Sequence, residues 1–218
     1  TIRFDTSSFE QTFYQSQIEL TSAQIPIVQI ATECNQGVIV APSGSGKTII
    51  GLEIIARRQL PAFILVHRKQ LLDQWVERIQ TFLGITKAYI GQYSGTKKKL
   101  GEQITIGLLQ SLARKGDLSE LKDKFGTIIV DECHHIPAAT FREVIAQLNP
   151  KYIYGLTATP KRKHNDEKLI YVYIGEIIAR MEASDIAPVS NFSSQPPEVL
   201  IRTTTLAVPF KFTTDHFQ

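Results

Sequence analysis

Long apolar stretches, cysteine pairs and a strong charge imbalance are all missing from this sequence of 218 residues. No run of about eighteen apolar residues occurs, which argues against a membrane-spanning helix and a membrane partner. The first residues lack the basic and then apolar pattern of a signal peptide. Cys34 and Cys133 are the only cysteines and have no zinc or redox spacing, so a reduced, cytoplasmic setting is expected. The net charge of +3 permits a nucleic acid partner without requiring one.

Short apolar runs alternate with segments of helical periodicity along the chain. Strands are predicted at residues 37–41, 62–66, 85–90, 104–107, 127–130, 152–156, 170–174 and 176–181. Helices are predicted from about residue 21 to 31 and over 49–58, 71–82, 110–124 and 137–148, with a glycine- and lysine-rich loop at 91–101. This alternation predicts an α/β fold with a doubly wound, mostly parallel sheet flanked by helices. Ligands of such folds bind at the carboxyl ends of the strands.

The first of these strands leads into a glycine-rich loop and then a helix. Residues 41–48 read Ala-Pro-Ser-Gly-Ser-Gly-Lys-Thr, with Ala41 where the usual phosphate-loop pattern has glycine. Glycines let successive backbone N–H groups converge on one anion, and the helix adds its positive end. Lys47 is predicted to reach the β- and γ-phosphates, and Thr48 to hold Mg²⁺. The predicted nucleotide-binding residues of the loop are Pro42, Ser43, Gly44, Ser45, Gly46, Lys47 and Thr48. A coincidental Gly/Ser loop is the alternative, and the strand–loop–helix context disfavours it.

A second polar cluster follows the strand at 127–130. Asp131 is placed to hold Mg²⁺, and Glu132 to orient and deprotonate the water that attacks the γ-phosphate. His134 is expected to hydrogen-bond to the loop after the next strand, where Thr157 and Thr159 lie, and so to couple that loop to the γ-phosphate. The alternatives are a surface acidic pair at 131–132 and two threonines that only stabilise a turn. A zinc site is disfavoured because the spacing does not match known zinc patterns.

Taken together and in this order, the motifs resemble those of superfamily 2 helicases. Residues 41–48 are similar to motif I, which commonly begins with Ala in that family, 131–134 to motif II in its DExH form, and 157–159 to motif III. Residues 66–75 resemble motif Ia and residues 105–112 motif Ib. Residues 20–24 fall where the family places Leu-Arg-Pro-x-Gln, so Gln24 would read the adenine edge, although Ser22 replaces the usual Pro. The run 155–163 is similar to type III restriction-subunit and xeroderma-pigmentosum-B-like repair helicases.

The resemblance implies a RecA-like P-loop domain of a nucleic-acid-dependent ATPase, a DNA helicase or translocase that uses ATP and Mg²⁺. It implies catalytic roles for Lys47, Asp131, Glu132 and His134 and coupling roles for Thr157 and Thr159. It also implies contacts to a nucleic acid backbone, single- or double-stranded, from His67, Arg68, Gln74, Thr105, Gly107 and Gln110. The lysine run at 97–99 and the basic run at 161–163 either add charge to this surface or are ordinary solvated loops. Trp75 is expected to pack in the core rather than to stack on a base, because it shares an apolar helix face with Leu71 and Leu72.

The predicted organisation is a lead-in segment at 1–19, a first motor domain at 20–183, and a linker with a short β-like extension at 184–218. Superfamily 2 helicases, which this sequence resembles, carry a second RecA-like domain with an arginine finger. Nothing after Thr159 resembles that second domain. We therefore expect a first motor domain from a longer protein that binds ATP·Mg²⁺ and hydrolyses it very slowly. Two other classes stay open: a P-loop enzyme such as a nucleotide kinase, and an ATP-binding interaction module without motor activity.

Overall fold

A computed structural model describes residues 9–95, 97–135, 138–159 and 167–185, in which helices flank an eight-stranded sheet. The helices are α1 (Gln24–Glu33), α2 (Lys47–Arg58), α3 (Lys69–Leu83), α4 (Leu109–Lys115), α5 (Ala138–Ile145) and α6 (Glu167–Ile174). The strands are β1 (Gln36–Val40), β2 (Ala62–Val66), β3 (Gly91–Ser94), β4 (Lys97–Lys99), β5 (Ile104–Leu108), β6 (Thr127–Val130), β7 (Tyr152–Thr157) and β8 (Ile177–Arg180). Short 3₁₀ turns occupy Ser119–Leu121, Cys133–His135 and Ala183–Asp185.

The strand order in the sheet is β4-β3-β5-β2-β6-β7-β1-β8. The neighbouring strands are parallel except for the β3–β4 pair, so the predicted doubly wound, mostly parallel sheet is confirmed. Val40 pairs with Thr157, Val130 with Gly155, and Leu65 with Val130. Because these strands run in one direction and in register, the segments that follow β1, β7, β6 and β2 leave the sheet at one edge.

Two apolar layers, one on each face, bury the sheet. Side chains of β2 alternate between them, since Ile64 lies in the layer with α1, α2 and α3, whereas Phe63 and Leu65 lie in the layer with α4, α5 and α6. All five residues of β2 are buried, as expected of a parallel strand covered on both faces. Trp75 is 1% exposed within the first layer, which confirms its predicted place in the core.

Two strand predictions are wrong. Residues 85–90 form a turn, and strand pairing starts at Gly91, inside the predicted loop, with β4 added as an exposed edge of three lysines. Charged residues are well suited to such an edge because they discourage pairing with another chain. Residues 170–174 belong to α6 rather than to a strand. A short apolar run rich in β-branched and aromatic residues does not by itself distinguish a buried helix from a strand. The predicted strand at 176–181 is present as β8.

Residues 9–19, the described part of the lead-in segment, have no helix or strand and are held to the domain by side-chain contacts. Tyr14 is 6% exposed, and its hydroxyl lies 2.9 Å from the carbonyl oxygens of both Leu60 and Gln103. The Ser16 hydroxyl donates to Glu53 of α2 at 2.8 Å. The first eight residues of the lead-in segment, the basic run at 161–163 and the extension from residue 186 onward lie outside the described residues. None of the described helices is long and apolar enough to cross a membrane.

Candidate active site at the carboxyl edge of the sheet

The loop between β1 and α2 has the backbone shape that its glycines predict. Gly44 and Gly46 have φ values of 82° and 80°, in the left-handed region that favours glycine. A Cβ atom at Gly46 would also come within 2.5 Å of the Gln24 amide nitrogen. Gly46 precedes α2, no side chain caps that helix, and its first turn holds no acidic residue. The N–H groups of the first turn are therefore positioned to bind an external anion.

Lys47 folds back over this loop toward the acidic cluster formed by Asp131 and Glu132. Its Nζ donates to the carbonyl oxygens of Ala41 and Pro42 at 3.2 and 3.3 Å. The same nitrogen lies 3.6 Å from Glu132 Oε1, at the end of a different strand. The Ser45 hydroxyl is buried and has no hydrogen-bond partner among the described residues. An uncapped helix start, an ammonium group and an unsatisfied buried hydroxyl converge on one place, and this set of donors fits the phosphates of ATP.

Asp131 is held at the end of β6 by three hydrogen bonds. Its backbone N–H donates to the carbonyl oxygen of Leu65 at 2.9 Å, which continues the pairing with β2. Its carboxylate accepts the N–H of Glu132 at 3.0 Å on Oδ1 and the indole N–H of Trp75 at 2.8 Å on Oδ2. Burial raises the pKa of Asp131, and the bond from Trp75 partly opposes this. The polar contact of Trp75 was not predicted, because its position on an apolar helix face gave no sign of it.

Glu132 has an unusual backbone conformation. Its φ of 46° lies in the left-handed region, which residues other than glycine seldom adopt outside turns and functional sites. The side chain reaches in two directions, with Oε1 near Lys47 and Oε2 3.3 Å from His134 Nδ1. The side chain as a whole is 23% exposed, although Oε2 itself is buried. Its position next to Lys47 suits a group that orients and deprotonates water beside a bound phosphate.

The predicted contact between the two neighbouring loops is present. His134 Nδ1 lies 2.6 Å from the Thr157 hydroxyl, which is 1% exposed at the end of β7. That hydroxyl also lies 2.9 Å from the carbonyl oxygen and 3.2 Å from the N–H of Thr159. A chain of contacts therefore runs from Lys47 through Glu132 and His134 to the loop after β7.

Gln24 contacts the phosphate loop itself. Its side-chain N–H group donates to the carbonyl oxygen of Ser45 at 2.9 Å, and its Oε1 accepts the N–H of Thr21 at 3.1 Å. Gln24 is 6% exposed. Both ends of the amide are thus engaged by the protein, so the residue braces the loop, and its contact with adenine stays a prediction.

A cleft of about 350 Å³ lies beside Glu132 and His134. Three of the residues predicted to contact nucleic acid, His67, Arg68 and Gln74, line it. They stand at the end of β2 and in the first turns of α3, next to the acidic cluster. Gln110 is exposed in the first turn of α4. These four positions are accessible to a ligand at the carboxyl edge.

Two of the predicted nucleic acid contacts, Thr105 and Gly107, lie inside the sheet, and their contact with nucleic acid stays a prediction. Thr105 is fully buried, and its hydroxyl accepts the N–H of Gly101 at 3.0 Å. Gly107 is buried, and a Cβ there would lie 2.6 Å from the ring of Phe63. The reason is the length of β5, which continues to Leu108 and keeps both residues inside the sheet.

Comparison with protein families gives one match, over residues 10–162, to the model described as "Type III restriction enzyme, res subunit". A DNA 3'-5' translocase XPB2 of Sulfurisphaera tokodaii is 32% identical over 174 residues, which cover 79% of this chain and 38% of that protein. A DNA 3'-5' helicase XPB of Mycobacterium tuberculosis is 34% identical over 145 residues, which cover 64% of this chain and 26% of that protein. The chain therefore spans well under half the length of these curated relatives.

Solved structures give the same architecture. The UvsW helicase of bacteriophage T4 matches with a TM-score of 0.65 and 19% identity, over 80% of this chain and 64% of that one. The Sulfolobus solfataricus SWI2/SNF2 ATPase core, solved in complex with dsDNA, matches with a TM-score of 0.62 and 19% identity, over 74% of this chain and 37% of that one. At this level of identity the likeness establishes the fold, and the predicted RecA-like fold is confirmed.

Proposed function

Because the chain belongs to the family of type III restriction enzyme res subunits, we propose that it is the ATP-binding motor domain of a nucleic-acid-dependent ATPase, a DNA helicase or translocase. The observation that carries the proposal is the 3.6 Å approach of Lys47 Nζ to Glu132 Oε1. These two groups come from loops after different strands, and a triphosphate bound by one would face the other. Relatives that are named as DNA translocases and helicases support DNA as the partner.

The roles divide along the chain of contacts. Lys47 and the phosphate loop bind the triphosphate, while Thr48 and Asp131 hold Mg²⁺, which when bound neutralises phosphate charge. Glu132 orients the attacking water and accepts its proton. His134 and Thr157, which are in contact, transmit the state of the nucleotide site to the loop that contains Thr159.

The nucleic acid backbone is proposed to bind along His67, Arg68, Gln74 and Gln110. Three of these border the cleft beside Glu132, so a bound strand would lie close to the nucleotide. Contacts to phosphates position the strand without reading its sequence, and they weaken as salt rises. Cys34 and Cys133 are not joined in a disulfide, which is in keeping with action in the reducing cytoplasm.

Efficient turnover is proposed to need a second RecA-like domain of a longer parent protein. The chain covers only 25–38% of the first three curated relatives. In related phosphoryl-transfer enzymes an arginine finger supplies on the order of a thousandfold or more in rate. We therefore expect the 218-residue chain to bind ATP·Mg²⁺ and to hydrolyse it only very slowly.

Nucleotide binding is tested by thermal unfolding of the purified chain with and without ATP·Mg²⁺. At a ligand concentration a hundredfold above Kd, the free energy of unfolding should rise by about 2.7 kcal/mol. Lys47→Ala should abolish this shift because it removes the ammonium group over the loop. Glu132→Gln should keep the shift and stop the residual hydrolysis. Lys122→Ala, an exposed position between α4 and β6, is the matched control and should behave as wild type.

A full shift in Lys47→Ala, or no shift in wild type, would contradict ATP binding at this loop. Motor function is tested separately by measuring ATPase activity of the full-length parent with and without DNA. Stimulation by DNA that Glu132→Gln abolishes supports the proposal. Hydrolysis that DNA does not change would favour another P-loop enzyme, and binding without hydrolysis in the parent would favour an interaction module.

A further inference from the structure

Trp75 makes a polar contact that core packing does not require. Its indole N–H donates to Asp131 Oδ2 at 2.8 Å, between two residues that are 1% and 5% exposed. A tryptophan side chain has one polar atom, and when buried it usually needs a partner. Here the partner is the carboxylate proposed to hold Mg²⁺, rather than a backbone carbonyl of the core.

The ring of Trp75 also contacts the helix that follows the phosphate loop. A Cβ at Gly51 of α2 would lie 2.9 Å from Trp75 Cη2, and its next neighbours would be Leu156 of β7 at 3.1 Å and Ile129 of β6 at 3.5 Å. The Trp75 ring of α3 therefore lies against Gly51 and belongs to the same buried apolar layer as Ile129 and Leu156. Close packing in this layer restricts rotation of the indole away from Asp131.

The two hydrogen bonds to Asp131 leave its carboxylate in one orientation. The N–H of Glu132 engages Oδ1 and the indole of Trp75 engages Oδ2. A carboxylate has about four acceptor sites on its two oxygens, so both oxygens keep capacity for a cation or for water bound to it. Without the indole, rotation about the Cβ–Cγ bond would be limited by the Glu132 N–H alone.

We propose that Trp75 is a positioning residue for Asp131: its indole N–H holds the carboxylate in the orientation that binds Mg²⁺ on the nucleotide. This inference rests on the proposed function. It assigns to α3, whose first turns carry the proposed nucleic acid contacts, a direct hydrogen bond to the metal ligand. Outer hydrogen-bond partners of metal ligands typically change metal affinity by about ten- to a hundredfold when they are removed.

The test removes the indole N–H of Trp75 and keeps the shape of its ring system. Trp75 is the only tryptophan of the chain, so growth of a tryptophan auxotroph on benzothienylalanine exchanges this one indole N–H for sulfur. The measurement is binding of a fluorescent ATP analogue, first in EDTA and then in a Mg²⁺ titration. We expect the affinity for the analogue in EDTA to be unchanged. The Mg²⁺ concentration at which Mg²⁺ has half of its effect on analogue binding should rise about tenfold. Trp75→Phe should shift this Mg²⁺ concentration in the same direction.

Two further variants distinguish a positioning role of Trp75 from a general effect on protein stability. Tyr154→Phe removes another buried hydrogen-bonding group, a hydroxyl that donates to the carbonyl oxygen of Cys34, and should leave the Mg²⁺ dependence unchanged. Gly51→Ala keeps the indole N–H but presses on the ring, and should raise the Mg²⁺ requirement. An unchanged Mg²⁺ requirement in the benzothienylalanine protein, or an equal loss of affinity with and without Mg²⁺, would overturn the role of Trp75. Failure of the wild-type chain to bind the analogue in Mg²⁺ would instead overturn the proposed function.

Discussion

At the scale of single residues, the burial of Asp131 predicts an unusual dependence of stability on pH. Burial and the nearby Glu132 carboxylate raise the pKa of Asp131, while the Trp75 indole, the Glu132 N–H and the Lys47 ammonium oppose the rise. Because the folded-state pKa lies above the unfolded value, protonation of Asp131 favours folding. Its contribution is fully present below the ordinary value of 3.8 and is lost as pH rises through the raised pKa. The ionised Asp131 carboxylate therefore lowers the stability of the nucleotide-free protein at neutral pH.

The measurement is the melting temperature of Asp131→Asn relative to wild type, without nucleotide. The melting temperature of the variant minus that of wild type should be highest near neutral pH. It should decline as pH falls toward 4, because only wild type gains a proton on Asp131. Asp117→Asn is a control with the opposite sign, since the N–H of Ser119 lowers the pKa of Asp117. Its relative melting temperature should improve as pH falls. Parallel trends for the two variants would contradict this interpretation.

The polar and charged residues of the site were predictable because they follow strands. Lys47, Asp131, Glu132 and His134 all emerge at one edge, and the His134–Thr157 contact follows from the adjacency of β6 and β7. Two features were not predictable. The left-handed backbone of Glu132 depends on tertiary contacts to Lys47 and His134 rather than on its own preference. The bond from Trp75 depends on how α3 is oriented on the sheet, which the helical period alone does not fix.

At the scale of secondary-structure elements, Arg58 connects the end of α2 to the end of α1. Its Nη2 donates to the carbonyl oxygen of Ala31 in the last turn of α1 and to that of Cys34, which follows the helix, and its guanidinium lies 3.7 Å above the ring centre of Tyr152. A lysine cannot reproduce this planar fork and stacking together. Arg58→Lys should therefore lower the free energy of unfolding by about 1–2 kcal/mol.

The matched control is the neighbouring arginine of the same helix. Arg57 is more exposed and pairs with Glu53 one turn away at 2.8 Å. The Arg57 side chain is 43% exposed, and a lysine there keeps the positive charge, so Arg57→Lys should have little effect. Urea unfolding of both variants gives the comparison, and an equal loss for the two would show that the helix-end contacts of Arg58 do not stabilise the fold.

Elements with strong local signals were predicted well, and the failures lie where tertiary pairing decides. The phosphate-loop helix and the buried strands β2 and β6 have long or uniform apolar patterns. The edge pair β3 and β4 has only a few residues and three exposed lysines, so its pairing depends on the neighbour β5. The segment 170–174 of helix α6 was mistaken for a strand because its five residues are all β-branched or aromatic.

At the scale of the whole molecule, the carboxyl edge brings the proposed nucleotide site and the proposed nucleic acid contacts together. The phosphate loop follows β1, whereas His67, Arg68 and Gln74, which line the cleft beside Glu132, follow β2. The acidic end of β6 lies between them in the strand order. A ligand bound at one part of this edge is therefore a short distance from the other, which is what coupling of ATP hydrolysis to movement on nucleic acid requires. This arrangement was predictable from the order of the motifs, because a parallel sheet places all its strand ends at one edge.

Binding of DNA to the chain should therefore depend on salt through a countable set of phosphate contacts. Arg68 is exposed at the rim of the cleft, and Arg68→Ala should weaken binding uniformly across DNA sequences. It should also reduce the slope of log K against log salt by about 1, as expected when one phosphate contact is lost. Fluorescence anisotropy with labelled duplexes of two unrelated sequences at several salt concentrations measures both quantities.

Lys122→Ala, at the opposite edge, removes the same charge and should leave the slope unchanged. A slope that falls equally in both variants would mean that the basic charge of the whole surface, rather than this edge, binds the nucleic acid.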